Sequence, residues 1–351
     1  MSLQFIFGNS GSGKTTYLYK HIVEEASKNP FVNYLVIVPE QFTMQTQRQL
    51  VDLAPNHAIM NIDVLSFKRM AYRIFDELGI NSVEILEETG KNLVLRKIAQ
   101  EREEQLSVLR PNINRIGYIS EVKSLLSEFV QYNITSTQLN AYVQSDRLPE
   151  VLKAKLKDVL VMYEGFEDFM RNRYITAEEI LNVLANVAHK SEILKDSVLI
   201  FDEFTGFTPI QNKLLKTLFP IVNRVYITLT IDSKEDFYHS RGMQELFDMP
   251  KKSIASLMRI ADEAGIDVLE PIVLEPYKDR RFCNSDELYY MEQNIFRKKH
   301  RISKAECKNI KVTSLQSPRD EMIYAARRIN GLIQKEGYRY KDIAIVSGDV
   351  N

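Results

Sequence analysis

Apolar residues along this chain fall into two rhythms. The first is short, strand-length runs, broken only by Gln4: Leu3-Gln4-Phe5-Ile6-Phe7, Tyr34-Leu35-Val36-Ile37-Val38 and Val198-Leu199-Ile200-Phe201. Runs of that length and purity suit strands buried on both faces of a parallel sheet. Amphipathic stretches follow them. Thr16 to Ala26 reads as a helix, and Pro39 ends the second run before another helix from Glu40 to Leu53. His57 to Val64 fits a third strand, and the helix from Leu65 to Leu78 closes on Gly79 as a C-cap glycine would. This βαβαβα opening predicts a doubly wound α/β sheet.

Between Ile80 and His189 the strand-like runs vanish. Helical spacing takes over in Thr89–Gln105, Ile119–Tyr132, Thr137–Val143, Leu148–Asn172 and Ala177–Ala188, punctuated by Pro111 and Pro149. Leu152, Leu156, Val159, Leu160, Tyr163 and Phe166 recur at intervals of three and four, as one buried face requires. The expectation is an all-helical insertion over residues 80–189, within an α/β domain formed by 1–79 and 190–300. Its aromatic residues read as core and its charged run Glu101-Arg102-Glu103-Glu104 as a solvated helix face. The strand rhythm returns at Val198–Phe201. It is followed by a helix from Pro209 to Phe219, a strand from Arg224 to Thr230 and a helix from Ser253 to Ala264 stopped by Gly265. Glu270–Ser285 reads as a charged connector and Leu288–Phe296 as a short helix. A strand at Ile310–Ser314, a helix at Pro318–Glu336 and a strand at Asp342–Val346 then predict the start of a second α/β domain over 308–351. One such unit is too little to bury a sheet, so a piece of a longer polypeptide is expected.

Composition narrows the class. Length allows about two domains. No segment approaches the roughly 20 apolar residues that span a bilayer, and the start has no signal-peptide pattern. The net charge of −1 gives no global attraction to nucleic acid, so any such binding needs a local surface. Two cysteines, Cys283 and Cys307, are too few for a disulfide framework, a zinc site or an iron–sulfur site. Free thiols in a reducing cytoplasm are expected.

The chemistry lies at the ends of the apolar runs. Gly8-Asn9-Ser10-Gly11-Ser12-Gly13-Lys14-Thr15 sits between a strand and a helix, the context in which G-x-x-x-x-G-K-[ST] forms a phosphate-binding loop. Gly8 and Gly13 let the backbone curl so that successive N–H groups face an anion, with the helix N-terminus behind them. Gly8 through Thr16 are therefore the candidate nucleotide-binding residues. Lys14 would reach the β- and γ-phosphates, and the Thr15 hydroxyl would ligate Mg²⁺. The plain alternative is a flexible turn capping a helix. Asp202-Glu203 closes the strand at Phe201. Asp202 would hold Mg²⁺ opposite Thr15, and Glu203 would orient and deprotonate a water. Alone, such a pair could equally be two solvated loop acids. Arg319 is a candidate for stabilising charge on the γ-phosphate, whereas Arg327 and Arg328 read as solvated or salt-bridged. The five histidines are scattered, so no nucleophilic triad competes.

The whole chain has the layout of superfamily 1 helicases: phosphate loop, helical insertion, Asp-Glu strand and second α/β unit. Val38-Pro39-Glu40-Gln41-Phe42-Thr43 and Val64-Leu65-Ser66-Phe67-Lys68-Arg69-Met70-Ala71 resemble two of their DNA-contacting segments. Three further segments resemble the B subunits of bacterial AddAB helicase–nucleases: Asp202–Gln211, Ser317–Glu321 and Gly337–Ala344. The resemblance implies a P-loop NTPase fold, RecA-like, with 1–79 and 190–300 as domain 1A, 80–189 as the insertion 1B and 308–351 as the start of 2A. It implies ATP and Mg²⁺ as ligands, and an A subunit and DNA ends as partners in double-strand-break repair by homologous recombination. In that family the helicase-like part serves as a scaffold that scans the displaced single strand, and a nuclease with an iron–sulfur cluster lies far downstream of these residues. Gln41, Phe42, Thr43, Phe67, Lys68 and Arg69 become candidate DNA contacts, with a core ring and two surface cations as the plain reading of the last three. Only seven residues precede Gly8, leaving no room for the glutamine segment that reads adenine in such helicases. Thr205 stands where motor helicases carry glutamine, and Glu203 where many B subunits have glycine. An active DNA-dependent ATPase, a small-molecule kinase and a structural subunit with a vestigial loop are the other readings.

Overall fold

The computed structural model describes residues 1–80, 85–112, 115–145, 148–171, 174–275, 281–282, 284–296, 302 and 307–348. Cys283 and the expected helix end at Asn172 lie outside them; Cys307 is a free, exposed thiol. The chain divides into two compact units, Met1–Arg281 and Phe282–Asn351.

In the first unit, β1 (Ser2–Gly8) leads into α1 (Lys14–Lys28), β2 (Tyr34–Ile37), α2 (Thr43–Leu53), β3 (Ile62–Leu65) and α3 (Phe67–Leu78). A helical section follows: β4 (Ile85–Leu86), α4 (Glu88–Glu101), α5 (Ile116–Gln131), α6 (Ser136–Val143), α7 (Glu150–Met170), β5 (Ile175–Thr176) and α8 (Ile180–Val187). The sheet pattern resumes with β6 (Val198–Phe201), α9 (Pro209–Leu218), β7 (Arg224–Thr230), α10 (Asp248–Glu263), β8 (Asp267–Val268) and β9 (Ile272–Leu274). Seven strands form one parallel sheet in the order β3-β2-β6-β7-β1-β8, with β9 also pairing with β1. Because every strand runs the same way, the carboxyl ends at Gly8, Ile37, Phe201 and Thr230 share one edge.

Alternation along β1 explains the two-sided core. Leu3, Phe5 and Phe7 pack with α3, α8, α9 and α10, whereas Ile6 joins Leu18, Tyr19 and Ile22 of α1 and Leu50 of α2 on the other face. Local signals set the helix ends. Ser66 caps α3 by accepting from Arg69 N–H, and Gly79 ends it at φ 65°. Thr208 and Gln211 form a capping box on α9, with Pro209 in its first turn.

The helical section has its own core. Leu95, Ile98, Val122, Leu126, Tyr163 and Phe166 are buried together, so Phe129, Tyr163 and Phe166 are core as expected, whereas Tyr132 and Tyr142 are exposed. It is not all-helical, however. Ile85–Leu86 and Ile175–Thr176 pair in a short parallel ladder where the segment leaves and returns. Its last helix, α8, packs Ile180, Leu181 and Leu184 into the sheet core. A ladder of two residues has no sequence period to read; only the tertiary meeting of the two ends creates it. Nor is Arg102 wholly solvated, since it donates to Val161 O and Asp168 Oδ2, both at 3.1 Å. Two further expectations change. Helix α10 starts at Asp248 rather than Ser253, because Pro250 is tolerated in a first turn. The connector after Glu270 contributes β9 to the free edge of β1.

The second unit contains α11 (Asp286–Asn294) and α12 (Pro318–Glu336), the latter capped by Ser317 and closed by Gly337 at φ 75°. Ile310–Ser314 and Asp342–Val346, read above as strands, form no ladder, since a strand exists only with a neighbour. Among the described residues no helix is long and apolar enough to cross a membrane.

Candidate functional site

The loop that leaves β1 is shaped by its glycines. A Cβ on Gly8 would lie 2.8 Å from the Leu274 carbonyl of β9, backbone that cannot yield, and would press on Ser12 Oγ. Gly11 and Gly13 hold φ of 80° and 90°, the left-handed region that side chains disfavour. Ser12 N–H donates to Asn9 O at 3.1 Å, closing the turn, and α1 begins one residue after Gly13. The N–H groups of the first helical turn have no intrahelical acceptor, and the helix adds partial positive charge there. Lys14 folds over the loop, its Nζ 2.9 Å from the carbonyls of both Gly8 and Asn9. Burial pulls its pKa from 10.5 to about 8; Asp202 and Glu203 oppose that shift, and Arg281 adds to it.

Opposite the loop, β6 delivers Asp202 at 1% exposure. Its Oδ1 accepts from the Thr228 hydroxyl of β7, while Oδ2 has no hydrogen-bond partner among the described residues. A buried carboxylate oxygen left in this way is a strong acceptor awaiting a cation or donor. Glu203 follows at φ 63°, a left-handed backbone for a residue with a side chain. Its Oε1 lies 3.4 Å from the Thr15 hydroxyl, which donates. Partial burial first, then Asp202, raises its pKa above the ordinary glutamate value, with Thr15 and Lys14 opposing. These groups line one cleft of about 430 Å³, within the usual range for small-ligand sites.

Of the loop residues, Asn9 and Ser12 are buried, Gly11, Gly13, Lys14 and Thr15 half-buried, and Ser10 and Thr16 exposed. The structure thus brings the loop, Thr15, Asp202 and Glu203 together from both ends of the first unit. Arg319 is exposed on the first turn of α12 in the second unit. Arg281 and Thr228 are among the cleft residues that sequence reasoning missed. Arg281 donates from Nη1 to Ser10 Oγ at 2.6 Å and packs its stem over Gly11. It sits in what reads as a plain charged connector, and nothing in the pattern distinguishes it. Thr228 did leave a signal: a hydroxyl in the middle of the apolar run of β7.

The candidate DNA-contacting segments lie side by side at the end of β2 and β3. Glu40 ties them, accepting from the Ser66 hydroxyl and, at 3.1 Å, from Arg69 Nε. Gln41 is exposed, Phe42 half-buried against the α1–α2 core, and Thr43 buried with its hydroxyl on Glu40 O. Phe67 is buried among Phe201, Phe204 and Phe207, with ring centroids 5.5–6.5 Å apart, so its ring is already stacked inside the protein. Lys68 lies over the Tyr72 ring at 5.9 Å, and Arg69 is exposed.

Comparison with known proteins gives consistent matches. The profile of the family described as ADDB, N-terminal, matches residues 5–292. A protein of Lachnoclostridium phytofermentans, named as the B subunit of an ATP-dependent helicase/deoxyribonuclease, is 38% identical over 99% of this chain and 30% of its own length. Proteins of the same name from Clostridium tetani and Caldanaerobacter subterraneus subsp. tengcongensis are each 33% identical over 100% of this chain and 30% of their own. The chain therefore spans about 30% of the length of these relatives.

Proposed function

The chain belongs to the ADDB N-terminal family, and from that premise we propose that it is the nucleotide-binding, helicase-like module of a protein that processes broken DNA ends. The observation that carries the reading is the cleft itself. A glycine-shaped loop and Lys14 face a buried, half-satisfied Asp202 across the carboxyl edge of a parallel sheet, where open α/β sheets bind ligands. Loop N–H groups, Lys14 and Arg281 would hold the phosphates of ATP. Thr15 and Asp202 would hold Mg²⁺, which needs few protein ligands when phosphates supply the rest. When bound, that cation would screen phosphate charge. On this reading residues 1–79 and 190–300 form the P-loop, RecA-like domain 1A, 80–189 the insertion 1B and 308–351 the start of 2A.

The partner is a helicase–nuclease A subunit of the AddA kind, a reading supported by the relatives being named as B subunits of a larger enzyme. DNA single strands would meet the surface carrying Gln41, Phe42, Lys68 and Arg69, with buried Thr43 shaping the turn beneath them. The module acts as a scaffold with weak or no motor activity, since Thr205 replaces the glutamine of motor helicases. Slow hydrolysis is the second reading, favoured by Glu203: its raised pKa and its place beside Thr15 suit a base for water. Calorimetric titration with Mg²⁺-ATP, beside Lys14→Ala, tests the first reading. Saturable binding by the wild type that the variant loses is expected. Equal heats from both proteins, or none from the wild type, would refute it.

A further inference from the structure

The interior of β7 is tightly packed around one small hydroxyl. Val225, Tyr226, Ile227 and Leu229 are at most 1% exposed, and Thr228 stands among them at 3%. A hydroxyl buried in such surroundings is costly unless it is hydrogen-bonded, and valine would fill the same space without that cost. The hydroxyl of Thr228 donates to Oδ1 of Asp202. On the other side of β6 the backbone of the acid is fixed as well, since Asp202 N–H donates to Ile37 O at 3.2 Å. Asp202 is therefore gripped from β2 through its main chain and from β7 through its side chain.

The consequence falls on the second oxygen. With Oδ1 engaged, the carboxylate has Oδ2 left to offer, buried and without a hydrogen-bond partner among the described residues. Both Asp202 and Thr228 line the cleft that Lys14 and Thr15 close from the other side. Cations differ in what they ask of such a group. Mg²⁺ demands near-ideal octahedral geometry and is satisfied by single oxygens from one or two carboxylates. Ca²⁺ gathers roughly six to eight oxygens in a flexible arrangement and often takes both from one carboxylate. A carboxylate pinned at one oxygen suits the first ion and denies the second its two-oxygen grip.

We propose that Thr228 is a positioning residue that sets cation choice in this cleft: by occupying Oδ1 it makes Asp202 a one-oxygen ligand and favours Mg²⁺ over Ca²⁺. This deepens the proposed function and rests on Asp202 as the cation-holding carboxylate of a nucleotide site. The test compares the wild type with Thr228→Val, which keeps the branched shape and removes the donor. Calorimetric titrations are run with ATP in EDTA, with Mg²⁺-ATP and with Ca²⁺-ATP. The wild type should bind Mg²⁺-ATP several-fold more tightly than Ca²⁺-ATP. Thr228→Val should weaken Mg²⁺-ATP binding by about tenfold, the lower end of what losing a ligand's hydrogen-bond partner costs. Its affinity for Ca²⁺-ATP should be equal or higher, so the preference vanishes or inverts, while affinity in EDTA stays the same. Thr228→Ser keeps the hydroxyl and should keep the preference. Thr228→Ala lacks it, and replaces the valine variant if that one does not fold. A hydroxyl that serves packing alone would leave the ratio of the two affinities untouched in every variant, and that result would overturn the proposal. A wild type that does not distinguish the two cations would do the same. A wild type that binds no nucleotide in any form would instead overturn the assignment of the cleft, and the proposal with it.

Discussion

Replacing Lys14 with methionine should make the ligand-free protein more stable while removing its response to nucleotide. The ammonium is held in a half-buried position, and burial draws its pKa from 10.5 to about 8. A displacement of that size corresponds to about 3 kcal/mol against folding at pH 7, at roughly 1.4 kcal/mol per unit. Partial exposure and solvent screening reduce it to about 1–2 kcal/mol. Methionine of similar length also gives up the two bonds to the Gly8 and Asn9 carbonyls, which water at the cleft mouth can replace. A net gain of about 1 kcal/mol is expected, equivalent to a melting-temperature rise of roughly 2 °C. The sign of its pH dependence follows from linkage. Between pH 8 and 10.5 the unfolded lysine binds a proton that the folded one does not, so wild-type stability rises with pH through that window. The advantage of Lys14→Met is therefore full at pH 7 and small by pH 10. Thermal melts of both proteins at those two pH values, with and without Mg²⁺-ATP, make the assay. A variant less stable than wild type at pH 7, or an advantage unchanged at pH 10, would refute the argument that this lysine is strained by burial.

Two backbone predictions accompany it. Gly8→Ala should destabilise the chain by about 1–3 kcal/mol in denaturant titrations, because the new methyl meets the Leu274 carbonyl of an adjacent strand; a midpoint within error of wild type would show that β9 gives way. Glu203→Gly should stabilise by roughly 1 kcal/mol, since it relieves a side chain held at φ 63°, while eliminating any slow ATP turnover. Unchanged turnover in that variant would remove Glu203 from the chemistry.

The sequence alone determined what depends on neighbours along the chain. The strand, glycine turn and helix at the start were legible because buried parallel strands are continuous apolar runs and left-handed turns demand glycine. The observed bounds of β6, β7 and α12 match the reading for the same reason: an apolar run or a cap such as Ser317 and Gly337 is local chemistry. Which distant segments share an edge was set by contacts in space. The order β3-β2-β6-β7-β1 puts Thr228 of β7 between the loop and Asp202, and leaves the far edge of β1 for β8 and β9. Arg281 reaches Ser10 across 271 positions of sequence, and Phe67 turned inward because Phe201, Phe204 and Phe207 assemble around it. Ladders as short as Ile85–Leu86 with Ile175–Thr176 carry no period of their own. Hydrogen bonds and ring contacts of this kind depend on distance in space, and spacing along a chain encodes that distance only within a helix or a turn.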